Sequence, residues 1–241
     1  MNAGTPKEGT KYFMSGCPFV APGEQTWDLA KLKLVGGSYS DETLSLMKDT
    51  VPAIDGNKVF QYWSAEEEGD DNENVGWYFK GGENDGQKVE TYPIPVGTGF
   101  MVYFYTPGAT LTYNGEVVKG DINGEIVIEK TTGQLYRFIS NPVPAEVDLT
   151  DIKLVDGSYS DEEIAFLMPN VPAVNKNLKF QYWSADEEGE DNENVGWYFK
   201  GGEYDGQQVK KGDVKLGAGE GLYVYLYTPG VKLVFKAPVI K

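Results

Sequence analysis

The sequence runs to 241 residues, 40 % of them hydrophobic and 13 % aromatic, which is enough to give each of two ordinary domains its own core and excludes a disordered chain. Lys and Arg number 21 against 37 Asp and Glu, and the resulting charge of −16 repels phosphate backbones and anionic lipid, so nucleic acid and membrane surfaces are poor partners. Histidine is absent and Cys17 is the single cysteine, which removes the usual neutral-pH base, any internal disulfide and any thiolate metal cage.

In chain order, Met1–Thr10 is small and polar and reads as a mobile arm; it lacks the apolar core of a signal peptide, so export would imply a leader already removed. No apolar run reaches the about 18 residues of a membrane-spanning helix. Lys11–Ser15 is the first predicted strand and ends at Gly16-Cys17-Pro18, with Cys17 expected as a small buried hydrophobe. Leu32–Val35 alternates as a half-buried strand does, and Gly36-Gly37 turns the chain. Ser40-Asp41-Glu42-Thr43 ahead of Leu44 and Leu46-Met47 is a weak capping box and predicts a short helix that ends before Val51-Pro52. Phe60-Gln61-Tyr62-Trp63 and Gly76–Lys80 are aromatic strands on either side of an acidic loop. Asp85-Gly86 is a turn, and Phe100–Tyr105 and Thr110–Tyr113 are two further strands separated by Thr-Pro-Gly.

The chain then repeats itself. Asn72–Glu83, N-E-N-V-G-W-Y-F-K-G-G-E, returns unchanged 120 positions later at Asn192–Glu203. Tyr136–Ser140 answers Lys11–Ser15, Ile152–Val155 answers Leu32–Val35, and Phe180–Trp183 answers Phe60–Trp63. Ser160–Glu163 ahead of Ile164 and Phe166-Leu167-Met168 is the stronger copy of the helix signal. Leu222–Tyr227 is the cleanest strand, strictly period two, and Val231–Phe235 follows it. Between the copies lie Asn114-Gly115, Glu116-Val117-Val118, Asn123-Gly124 and Glu125–Glu129, two turn signals flanked by alternating apolar residues, which predict a hairpin insert.

The expected fold is therefore all-β: two tandem homologous β-sandwich-like units joined by a hairpin insert, with one short helix per unit. The boundaries fall at 1–115, 116–134 and 135–241. Nothing resembling the insert precedes the first copy or follows the second. One consequence is that the insert simply pins the units together. The other is that the terminal units carry open edges at Tyr12, Phe13, Leu233, Val234, Val239 and Ile240, which would accept strands from other copies of the chain.

The order Phe-Ile-Ser-Asn-Pro-Val-Pro, Asp-Leu-Thr-Asp-Ile, Tyr-Trp, Gly-Trp-Tyr, Gly-Ala-Gly-Glu-Gly-Leu-Tyr-Val resembles tandem β repeats of secreted and surface proteins in several bacterial groups. Asn141-Pro142-Val143-Pro144 fits the corner that opens such a repeat, and Gly97-Thr98-Gly99-Phe100 fits the segment before its late strand; Cys17-Pro18-Phe19 departs from the corner. The resemblance implies an exported structural or adhesive module and supplies no catalytic residues.

Three constellations could carry chemistry. The acidic loops contribute Glu68, Asp70, Asp71, Asn72 and Glu73, and again Glu188, Glu190, Asp191, Asn192 and Glu193. Crowded carboxylates are relieved by hard cations, so Ca2+ is a candidate, although the spacing is not that of an EF-hand and a solvated acidic loop explains the same residues. Trp63, Trp77, Trp183 and Trp197 could stack on sugar rings as a carbohydrate-binding module, or else form core. A glycoside hydrolase would need two carboxylates across a partly apolar cleft, and the acids here cluster in hydrophilic loops; serine lacks a histidine to activate it. The sequence as a whole points to a non-enzymatic structural or self-assembling protein, secreted or on the cell surface, with copies of itself or glycans as partners.

Overall fold

In a computed structural model, the structure describes residues 2–3, 12–36, 42–46, 58–65, 72–120, 125–129, 136–156, 163–165, 179–184, 189, 192–226 and 228–236. The first half forms β1 (Asn2–Ala3), β2 (Tyr12–Gly16), β3 (Phe19–Val20), β4 (Thr26–Asp28), β5 (Lys33–Val35), β6 (Thr43–Leu46), β7 (Lys58–Trp63), β8 (Gly76–Phe79), β9 (Pro93–Pro95), β10 (Gly99–Tyr103), β11 (Thr110–Thr112) and β12 (Glu116–Val117). The second half forms β13 (Glu125–Glu129), β14 (Tyr136–Ser140), β15 (Val147–Asp148), β16 (Lys153–Val155), β17 (Glu163–Ala165), β18 (Lys179–Trp183), β19 (Gly196–Lys200), β20 (Lys215–Leu216), β21 (Gly221–Tyr225) and β22 (Lys232–Lys236).

The fold is all-β and its strand pairings are antiparallel. A five-stranded sheet in the order β2-β10-β6-β7-β8 faces a three-stranded sheet β1-β11-β5, and the same orders recur as β14-β21-β17-β18-β19 and β13-β22-β16. Leu34 and Leu111 of the small sheet and Leu44, Phe60 and Val102 of the large one share a hydrophobic cluster with Trp27 and Trp77. The second cluster joins Leu154 and Leu233 to Phe180, Leu222 and Val224. Just before β5 and β16 of the small sheets a short 3-10 turn is capped by an aspartate. Asp28 accepts from the Ala30 and Tyr92 N–H groups, and Asp148 accepts from Thr150 and Gly212, so one carboxylate both opens the turn and pins a distant loop.

Four expectations require correction. The predicted helices are strands where they are described: Thr43–Leu46 and Glu163–Ala165 sit inside the large sheets, between β10 and β7 and between β21 and β18. The period-two pattern of Thr43-Leu44-Ser45-Leu46 buries Leu44 and Leu46 on one face, which outweighs the capping-box signal; Glu42, read as its helical acid, is fully buried and accepts from the Thr106 N–H. The rest of those segments lies outside the described residues.

The insert is not a hairpin. β12 turns back to pair with β3, whereas β13 pairs over five positions with β22, so its two strands serve opposite halves. Asn114-Gly115 makes no turn between paired strands: a Cβ on Gly115 would lie 2.6 Å from the Val20 carbonyl oxygen, and glycine is there to let two backbones meet.

The amino-terminal arm is not without structure either, because Asn2–Ala3 pairs with β11 at the position that β13 takes on β22. The predicted open edges are consequently covered. Leu233 and Val234 lie in the central strand of their sheet, 0 % and 8 % exposed. β2, which carries Tyr12 and Phe13, ends its sheet but abuts the second half, and Phe13 is buried edge-on against Phe104 at 5.1 Å. Val239 and Ile240 lie outside the described residues.

The contact between the halves is nearly symmetric. Gly16 N–H donates to Gly219 O at 2.8 Å, and Ser140 N–H donates to Gly97 O at 2.8 Å. Gly16 and Ser140 are counterparts in the repeat, as are Gly97 and Gly219, so each half offers the other the same pair of groups. Bridges Ser15 to Glu220 and Thr98 to Ile139 extend the pattern. The approach is so close that a Cβ on Gly16 would overlap Ser140 Oγ, and one on Gly221 would lie 2.7 Å from the Met14 backbone.

Candidate functional site

The four candidate tryptophans separate into two pairs by the face of the strand they occupy. On β7 and β18, Phe60 and Tyr62, or Phe180 and Tyr182, point into the core, so Trp63 and Trp183 project from the outer face. There each ring lies flat on the tyrosine of the neighbouring strand: Trp63 on Tyr78 at 4.2 Å and 18°, Trp183 on Tyr198 at 4.1 Å and 17°. The tyrosines are fixed in turn by hydrogen bonds from their hydroxyls to Asn74 O and Asn194 O. Each half thus presents a partly exposed indole on a rigid aromatic base.

Trp77 and Trp197 do something else, which corrects their place among the ligand-binding candidates. They are 1 % and 2 % exposed, and their Nε1–H groups donate to Leu32 O and Ile152 O at 2.7 and 2.8 Å. Tyr62 and Tyr182 make backbone hydrogen bonds with Leu34 and Leu154 that partly offset the rise burial causes in their phenol pKa. β5 and β16 are the outer strands of the small sheets, and side chains of the large sheets thus occupy backbone groups that those edges would otherwise offer to another chain.

Beside Trp197 a cavity of about 700 Å³ opens between β16, the end of β18 and the Asn192–Gly196 loop. Ser184, 3 % exposed, lines it, and its Oγ has no hydrogen-bond partner. Asn192 and Gln208 bring amides to the wall; Gln208 Nε2 donates to Glu193 O at 3.0 Å. Asp156 at the rim takes a left-handed backbone, φ 61°, and is paired with Lys232 at 2.9 Å.

Of the predicted calcium ligands, Glu68, Asp70, Asp71, Glu188, Glu190 and Asp191 fall outside the described residues. The others are engaged locally: Asn72 Oδ1 and Asn192 Oδ1 close turns onto Asn74 and Asn194 N–H at 2.8 Å, and the Glu73 and Glu193 carbonyls accept from Lys88 and Gln208. Among the described residues no three acids cluster as a metal site. Sequence reasoning passed over Ser184 and its counterpart Ser64, each directly after a Tyr-Trp pair; that placement, at a strand end and in phase with the buried Tyr, was the available signal. It also passed over Glu220, partly buried at the contact between halves, whose carboxyl is pushed up to about 7 by desolvation. No family model, characterised protein or solved structure matches the chain.

Proposed function

We propose that the chain is a non-enzymatic, glycan-binding structural or adhesive protein of the bacterial cell surface or the secreted fraction. It is built as two homologous β-sandwich-like units at about 1–115 and 135–241, with 116–134 connecting them. The observation that carries this reading is the duplicated ring stack, Trp63 on Tyr78 and Trp183 on Tyr198. An indole held flat and partly open to solvent offers a sugar ring an apolar face to stack on, and little side-chain freedom is lost on binding because the tyrosine beneath already fixes it. Two such platforms on one chain favour a polymeric ligand, since binding at one raises the effective concentration at the other. The lack of histidine and the resemblance to exported β repeats agree with holding rather than transforming. Titration calorimetry with soluble polysaccharides should give measurable affinity, reduced by Trp63→Ala or Trp183→Ala and abolished by both in a protein that keeps its circular dichroism. Unchanged affinity in the double variant would defeat the reading.

Assembly with further copies of the chain, stabilised by Ca2+ at the acidic loops, is the second reading. It draws on Val35 and Val155, counterparts on the outer strands β5 and β16 that are 53 % and 40 % exposed. Size-exclusion chromatography with calcium and with EDTA tests it, and a monomer at high concentration in both would end it.

A further inference from the structure

We propose that the cavity beside Ser184 is a second binding site, which takes one or two units of a neutral, hydroxyl-rich saccharide. The proposal rests on the glycan-binding reading above but uses a different surface, on the opposite side of β18 from the Trp183 stack.

The first support is Ser184 itself. A hydroxyl that is 3 % exposed and has no partner is destabilising relative to a satisfied one, unless a guest supplies the missing bond. The repeat makes the same choice twice: Ser64 is 2 % exposed and its Oγ is likewise without a partner. The second support is the chemistry of the wall. Val195 and aliphatic side chains of β16 give an apolar side, while Ser184, Asn192 and Gln208 give neutral polar groups, the mixture that a sugar's C–H faces and hydroxyls require. Formal charge among the lining residues is confined to Lys153 and Asp156, and Asp156 is already paired with Lys232, so the groups around Ser184 itself are neutral. The third support is size: about 700 Å³ lies within the range of small-molecule sites and accommodates a mono- or disaccharide. A peptide adding as a strand to β16 is disfavoured by the same residues, because Trp197 and Tyr182 already hold the backbone of that edge. In the first half Lys88 stands at the Gln208 position and its ammonium is tied to Glu73 O, so the surroundings of Ser64 differ from those of Ser184.

The test is two-dimensional NMR of the full chain titrated with glucose, galactose, mannose, N-acetylglucosamine and their β-linked disaccharides. At least one should shift the Ser184 and Gln208 amides and the Trp197 indole N–H saturably. Ser184→Ala, which removes a buried hydroxyl that bonds to nothing and therefore folds normally, should raise the Kd read from the Ser184, Gln208 and Trp197 shifts about tenfold. Shifts confined to Trp183 and Tyr198 and indifferent to Ser184→Ala would overturn the cavity site while leaving the outer platform standing. No shift at Ser184, Trp197 and Gln208 with any of these sugars would overturn it as well, and the polysaccharide titration then decides the platform independently.

Discussion

Replacing Glu220 by Gln tests the contact between the halves through its pH dependence. Glu220 closes a tight turn, its Oε2 accepting from the Gly217 N–H at 2.7 Å, while its backbone bridges to Ser15 and accepts from the Asn141 N–H. Its Oε1 is buried without a partner. Desolvation, opposed by the Gly217 hydrogen bond and assisted by the nearby Glu146 charge, lifts the carboxyl from an ordinary 4.5 to about 7. At about 1.4 kcal/mol per pH unit, that displacement sets the cost of the ionised form at roughly 3 kcal/mol. The folded pKa exceeds the unfolded one, so the native state holds the extra proton between the two values. The contribution of Glu220 to stability is greatest below 4.5, declines as pH rises, and is wholly lost above about 7. Gln cannot ionise, so the variant should match the wild type near pH 4.5 and exceed it by up to about 3 kcal/mol near pH 8. Urea denaturation of both proteins across this range measures the difference, in which all other carboxylates cancel. A gap that stays constant with pH would refute the assignment of the titration to Glu220.

Gly16→Ala should destabilise by about 1–3 kcal/mol, because its methyl overlaps Ser140 Oγ across the contact between halves, and the added Ser140→Gly change should recover most of the loss in a double-mutant cycle. Trp77→Phe and Trp197→Phe should each cost about 2–4 kcal/mol in chemical denaturation, since each leaves a buried carbonyl without its donor and a void beside it. Trp183→Ala, on the outer face, should cost much less than either. The Cys17 thiol, 1 % exposed and pushed up to about 12 by burial against the weaker effect of its backbone hydrogen bond, should resist iodoacetamide near pH 8 and react at once in denaturant; rapid labelling of the native protein would contradict that environment.

Glu42, Arg137 and Glu220 mark where sequence patterns stop being informative. A charged residue reads as solvent-facing unless something non-local buries it, and nothing within several residues of these three says that it will. Arg137 occupies the register position that Phe13 holds in the first half, and both are 7 % exposed, so the same fold tolerates either chemistry at one site. The face of Trp63 and Trp183 was legible in principle, since it is opposite in phase to Tyr62 and Tyr182. Which strand would lie beneath them was not, because Tyr78 and Tyr198 reach them only across a sheet.

The sequence by itself determined the repeat, the strand character of the chain and the absence of proton-shuttling imidazole, because these depend on composition and on spacings of a few residues. Tertiary structure decided the rest. It placed β6 and β17 inside sheets where a local cap predicted helix, and it drew Glu125–Glu129 away from Glu116–Val117 to pair with β22, near the far end of the second half. The physical reason is common to both: a strand satisfies only half of its needs locally, and the ladder and core that supply the other half come from segments whose nearness no short window of sequence records.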